Sequence, residues 1–257
     1  MIIFAHRGLI SKYPENTLQA LIESHKRGFA TETDVRLTKD KEYVLIHDSD
    51  LRRLCGVDTK VNELSLNEIH SITYKASSQY NIPSLEEYFM KLSDYKDDGK
   101  YLCALHVKED TQTEFSFKNF SNIFKKYNLY KKIFLFDLTI ESTRLLKKID
   151  PNIDIAITVS DKKFEPTVYQ WEEVKDEKFE IVWAAEFRNL YQKEFIESIK
   201  NNNKRLIAVS PDVHKHPHLS HPKAHSGYKN TWKDLIKWSV DGICTDHPDE
   251  LKDFMHS

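Results

Sequence analysis

The 257-residue sequence has little of what holds unusual folds together. Its three cysteines, Cys55, Cys103 and Cys244, lie far apart, and an odd number without CxxC spacing builds neither a disulfide framework nor a zinc site. A reducing compartment is the simplest reading. Six glycines and eight prolines exclude a collagen-like or linker-dominated chain. Charge of one sign is also missing: 38 basic against 40 acidic residues leave a net charge of −2, so no global field draws the chain to nucleic acid or an anionic membrane. No long apolar run occurs, and a mean hydropathy of −0.59 argues against stable membrane insertion. Residues 1–5 already read as a buried strand and leave no room for a secretory leader, so a cytoplasmic location is expected. Nothing marks an oligomer interface. What is present is bulk, since 12% aromatic residues suffice for a sizeable core.

Short β-branched, apolar runs alternate with longer amphipathic ones, which predicts a parallel sheet with crossover helices. Nine strand candidates stand out: 2–5, 30–37, 43–47, 102–107, 133–138, 154–159, 181–184, 205–210 and 242–245. Helix candidates are 17–27, 84–95, 115–127, 140–149, 192–201 and 249–255, with Pro83-Ser84 ahead of Glu86 and Glu87 as a helix start. Only five residues, 38–42, separate the second and third strand candidates, too few for a parallel crossover. These two form a rim hairpin, leaving eight strands for one α/β domain over 1–257, a (β/α)8 barrel with a small insertion at about 50–82.

Ionisable residues fall at the C-terminal ends of the strand candidates: His6-Arg7, Glu32 with Asp34, His106 with Lys108, Asp137, Glu186, Asp212 and Asp246. Chemistry in such barrels is built at that face. Glu32 and Asp34 are two apart, so an extended strand points both carboxylates the same way. They are either solvated rim charges with ion-pair partners or, if forced inward, a repelling pair that a hard divalent cation relieves. His6 and His47 form a second pair. Breaking a phosphodiester requires a proton removed from the attacking oxygen and one given to the leaving oxygen, and two imidazoles divide those tasks. The planar donor fork of Arg7 suits phosphate oxygens.

In order and spacing, His6-Arg7-Gly8, Pro14-Glu15-Asn16-Thr17, Glu32-x-Asp34-Val35 with Thr38-Lys39-Asp40, and His47-Asp48 with Leu51 and Arg52 resemble the signature of glycerophosphodiester phosphodiesterases. Residues 82–87 and 241–249 resemble that family's entry into a helix and its last barrel strand. The resemblance implies a TIM-type barrel hydrolysing glycerophosphodiesters to glycerol phosphate and an alcohol, with one divalent metal, Mg²⁺ or Ca²⁺, on Glu32 and Asp34. It implies His6 and His47 as the acid/base pair, and a substrate hydroxyl attacking phosphorus to give a cyclic phosphate that water opens.

The sequence departs from that pattern twice. Where the family carries a third metal-binding Glu, this chain has His106, which admits Mn²⁺ or Zn²⁺. Three readings stay open: His106 ligates a softer ion, makes a polar contact while Glu32, Asp34 and waters hold Mg²⁺, or marks lost metal affinity. The second ranks first, then the first. Lys108 is retained as a phosphate contact. The second departure is a loop with five of the 12 histidines, His214, His216, His218, His221 and His225. Asp212 and His214 are expected nearest the phosphate, and His216 to His225 are read as a polar surface loop. Asp137, Glu165 and Trp183 are candidates for an enlarged mouth that binds sugar hydroxyls, although core packing is the preferred role of Trp183. Glu15 and Asn16 are expected to organise the first loop and cap the helix at Thr17. The rival functions are cleavage of phosphate-linked surface saccharides and a non-catalytic sugar-phosphate-binding barrel.

Overall fold

The computed structural model describes residues 1–95, 99–215 and 220–256. Eight parallel strands run β1 (Ile2–His6), β2 (Ala30–Leu37), β3 (Cys103–Val107), β4 (Ile133–Phe136), β5 (Asp154–Ser160), β6 (Ile181–Ala185), β7 (Arg205–Val209) and β8 (Gly242–Thr245). Each pairs with its neighbours in chain order and β1 pairs with β8, so the sheet closes into a barrel. The strands read as near-continuous apolar runs because both faces are covered: Phe4, Ala104, Phe134, Ala156 and Ile207 fill the interior, while outward-pointing Leu105, Leu135 and Val182 meet the helices. Among those helices, Leu18–Lys26, Leu85–Ser93, Glu114–Tyr127 and Ile140–Ile149 start at Thr17, Ser84, Thr113 and Thr139, whose side chains each accept a hydrogen bond from a first-turn N–H. Ser84 and Glu87 complete a capping box, as their spacing predicts.

The rim hairpin forms. Tyr43–Leu45 runs antiparallel to β2 with Val35 opposite Leu45, and the turn passes through Lys41 at φ 67°. The return strand is two residues shorter than expected, ending where Ile46 N–H donates to Asp34 O (3.1 Å) and Arg36 Nε donates to His47 O (2.9 Å). His47 is thereby held beside the carboxylates of β2. Between Asp50 and Ile82 the chain builds short helices Arg52–Cys55 and Leu66–His70 and a two-stranded hairpin, Thr73–Tyr74 with Ser77–Asn81. This insertion packs on the return strand through a separate apolar cluster that includes Val44, Ile46, Leu51, Ile69 and Tyr74. One helix that the sequence reading did not anticipate, Tyr228–Lys237, connects β7 to β8.

Candidate active site

Strand register assembles the site. His6 stands opposite Glu32 across the β1–β2 ladder, and Asp34 stands opposite His106 across β2–β3. With Arg7, His47 and Lys108 they line a cavity of about 610 Å³ at the C-terminal mouth. Glu32, Asp34 and His106 each turn one donor atom to a common point, all three within 4.8 Å of one another.

Both paired histidines are anchored the same way. His6 Nδ1 lies 2.7 Å from Asp246 Oδ1 and His47 Nδ1 lies 2.8 Å from Asp48 Oδ1. In each the ring N–H donates to a carboxylate, which fixes the ring and leaves Nε2 for another partner. Each carboxylate is braced in turn: Lys215 Nζ is 2.9 Å from Asp246 Oδ2, and Arg53 Nε donates to Asp48 Oδ2 (2.6 Å). Their electrostatics differ. Burial and the nearby Arg7 oppose a charged His6, but Asp246 and Glu32 outweigh them and raise its pKa. His47 is pushed down to about 4 by burial, against the pull of Asp34 and Asp48.

Burial and the adjacent Asp34 raise the Glu32 carboxyl. Asp34 is held well below the usual carboxylate range despite its burial, chiefly by Lys108, whose Nζ lies 2.9 Å from Oδ1. Asn16 Nδ2 donates to Asp34 Oδ2 (3.0 Å) while Thr33 Oγ1 donates to Asn16 Oδ1 (2.8 Å). Asn16 therefore orients a site carboxylate, whereas the expected helix cap is made by Thr17 alone. Glu15 accepts from Arg7 Nη1 (2.9 Å) and from Arg53. Arg7 itself sits at φ 56°, a left-handed conformation that only over-determined surroundings maintain. Gly8 follows at φ 85°, and a Cβ there would stand 2.7 Å from the backbone of Ala20. The first loop is packed too closely against its helix for any other residue.

His106 is enclosed by charge. Its Nε2 lies 2.8 Å from Asp137 Oδ2, its Nδ1 lies 3.0 Å from Asp34 Oδ1, and Lys108 Nζ is 3.0 Å from Nδ1. Burial and Lys108 oppose its protonation, yet the two carboxylates raise its pKa. Asp137, at φ 65°, is lowered to about 2, against its burial, mainly by His106.

The loop after β7 divides. His214 lines the cavity with its ring 4.4 Å from that of Phe187, and burial lowers it to about 3. Asp212, expected at the phosphate, is not among the residues lining the cavity. Its fully buried carboxylate accepts from Ser210 Oγ, Thr245 Oγ1 and Asp246 N–H, a set that ties β7 to β8 and spends both oxygens. His221, read as a surface residue, is 3% exposed, accepts from Lys223 N–H and faces Glu186 at 3.4 Å. His225 is exposed, and His216 and His218 lie outside the described residues. Trp183 packs as expected, stacked on Phe136 at 4.4 Å, and its edge reaches the cavity. The residues that sequence reasoning missed are the anchors Asp48 and Asp246 and the carboxylate-orienting Asn16. Two of these were visible only as charges beside a histidine or at a strand end.

The sequence model of the glycerophosphoryl diester phosphodiesterase family matches residues 6–250, and the chain belongs to that family. It is 26% identical to a glycerophosphodiester phosphodiesterase of Caldanaerobacter subterraneus over 97% of this chain and 96% of the relative. It is 25% identical to one of Bacillus altitudinis over 96% and 95%. The fold matches the crystal structure of an Oleispira antarctica phosphodiesterase in complex with the product sn-glycerol-3-phosphate, with a TM-score of 0.77 at 19% identity, covering 100% of this chain and 97% of the other. It also matches a glycerophosphodiester phosphodiesterase of Agrobacterium tumefaciens, with a TM-score of 0.73 at 17% identity over 98% and 99%. The chain is thus a phosphoric diester hydrolase by family. Among the described residues no helix is long and apolar enough to cross a membrane.

Proposed function

We propose that this chain, as one catalytic unit over 1–257, hydrolyses glycerophosphodiesters to glycerol phosphate and an alcohol by histidine acid/base catalysis at a divalent-metal site. The carrying observation is convergence: two imidazoles, each anchored through Nδ1 by its own aspartate, flank one buried Glu/Asp couple.

The donor set fits a metal. Two buried carboxylates repel, as the raised Glu32 records, and an ion with oxygen and nitrogen preferences relieves them. His106 suits the third position because Asp137 holds its Nε2, the arrangement by which an imidazole is oriented toward a metal through its other nitrogen. This moves the ligand reading of His106 ahead of the simple polar contact, and Mn²⁺ or Zn²⁺ ahead of Ca²⁺. When bound on Glu32, Asp34 and His106, the ion would stabilise charge on the phosphate oxygens.

The protein's own groups do the rest. Arg7 and Lys108 hold non-bridging oxygens, and His214 contributes a further contact from the loop after β7. Asp212 acts by holding that loop rather than by touching phosphate. His47, neutral at ordinary pH, takes the proton from the hydroxyl beside the phosphorus through Nε2. That oxygen attacks phosphorus, the bond to the alcohol breaks, and His6, whose pKa Asp246 and Glu32 raise, gives its proton to the departing oxygen. The cyclic phosphate is opened by water with the two roles exchanged. All three cysteines are free, which supports a reducing, cytoplasmic setting.

Turnover of a glycerophosphodiester panel supplied with Mg²⁺, Mn²⁺, Ca²⁺ or Zn²⁺ tests the reading. His6→Ala and His47→Ala should each lower kcat by about a hundredfold or more, the usual contribution of a positioned acid or base, with thermal unfolding nearly unchanged. Wild-type rates in either variant contradict it.

A further inference from the structure

The cavity is electrically polarised along its length. Six carboxylates line it, those of Glu15, Glu32, Asp34, Asp137, Glu165 and Asp246. Five have a cationic partner among the described residues: Arg7 for Glu15, His6 for Glu32 and Asp246, Lys108 for Asp34 and His106 for Asp137. Glu165 has none among them. It sits on the loop after β5, and in an eight-strand ring closed in chain order β5 is diametrically opposite β1, the strand of His6 and Arg7. His6 and Arg7 thus stand at one pole of the mouth and Glu165, a carboxylate without an ion-pair partner among the described residues, at the other, with Lys108, His106 and Lys215 on the walls between. Partial burial and the nearby Asp137 raise the Glu165 pKa against the pull of Lys108 and His106, and an approaching cation favours its charged form. Between the two poles the apolar part of the wall is formed by Phe136, Phe164, Trp183, Val209 and Val213.

On the reading that the phosphate occupies the Arg7–Lys108 side, we infer that Glu165 selects diesters whose alcohol arm carries a positive charge, an amino alcohol of the choline or ethanolamine type, over neutral polyol arms. A zwitterionic diester matches both poles at once, its phosphate on the cations and its ammonium on Glu165, while its methylene and methyl groups lie on the apolar wall. The wall is a poor platform for a sugar ring, because Trp183 and Phe136 are stacked on each other (4.4 Å) and His106 covers Phe136 from 4.8 Å. Phe164 is likewise engaged edge-on with Phe187 at 5.1 Å. Glu165 lies at the open rim, where a charge pair is solvent-screened, so its effect is on selectivity and is modest.

The test measures kcat/KM for glycerophosphocholine and glycerophosphoethanolamine against glycerophosphoglycerol and glycerophosphoinositol. The wild-type chain should favour the cationic pair. In Glu165→Gln the ratio of cationic to neutral diesters should fall by roughly three- to tenfold, and Glu165→Lys should invert it. A wild-type chain that treats all four alike, or a Glu165→Gln ratio equal to wild type, overturns the inference. Calorimetric titration with the same diesters separates this failure from that of the phosphodiesterase reading. Tighter binding of the cationic pair without cleavage of any diester sinks the reaction and supports the subsite; equal binding sinks the subsite.

Discussion

Two histidines set the flank of the barrel against its mouth. His25, packed between helix and sheet, lies 3.0 Å from Phe29 O through Nδ1 and 2.8 Å from the Tyr88 hydroxyl through Nε2, and that hydroxyl meets Thr31 Oγ1 at 2.5 Å. Each partner is neutral, and burial pushes the imidazole down to about 4. His106, half-buried at the mouth, stands between Asp34 and Asp137 with Lys108 beside it, and its pKa moves up. The first arrangement satisfies every polar atom and fixes a shape. The second sets two carboxylates and an ammonium around one imidazole. The neutral partners of His25 go with a lowered pKa and the charged partners of His106 with a raised one.

The sharpest way to break this contrast is to remove charge from the anchors at the mouth. Asp48→Asn and Asp246→Asn keep the shape but lose the carboxylate that fixes each catalytic ring, and kcat should fall by about a hundredfold or more. Denaturant unfolding of the same variants should stay close to wild type. A large loss of stability with little loss of rate would put these aspartates with the flank.

At the flank, linkage makes a prediction with a definite sign. The folded pKa of His25 lies below its ordinary value of 6.5. The proton is therefore bound more readily by the unfolded chain, and the stabilisation is fully present above pH 6.5. It declines as pH falls toward 4, by at most about 3 kcal/mol. Urea unfolding across that window should show the decline, and His25→Gln should flatten it. Smaller still, Tyr88→Phe leaves His25 Nε2 without its donor in a dry site and should reduce stability by about 1–3 kcal/mol. Its kcat should match wild type, as measured on the same diester panel.

Much of the fold was legible because burial on both faces writes strands as apolar runs: β2 and β8 have the boundaries that the residues imply, and the five-residue gap at 38–42 sets the hairpin. Helix Tyr228–Lys237 was not, because Thr231, Trp232 and Leu235 alone form its buried face and Gly227, at φ 93°, replaces the Ser, Thr or Asp that announces a start. The inward pairing of Glu32 and Asp34 on β2 could be read from their spacing of two. Which aspartate anchors which imidazole could not, since Asp246 reaches His6 across 240 residues and only closure of β8 onto β1 brings them together. Asp212 misled for a related reason: position at a strand end was visible, but the direction of its side chain depends on Ser210 and Thr245.

In the proposed reaction His47 and His6 divide proton removal and proton delivery across one Glu/Asp couple. It is tested most directly by the pH dependence of kcat/KM for glycerophosphodiester hydrolysis in the wild-type and His47→Ala chains. The expected profile is a bell with an acid limb near pH 4, where His47 becomes protonated, and an alkaline limb above pH 6.5, where His6 loses its proton, with the acid limb gone in His47→Ala. A wild-type profile without either limb, or an acid limb that persists in His47→Ala, would contradict it.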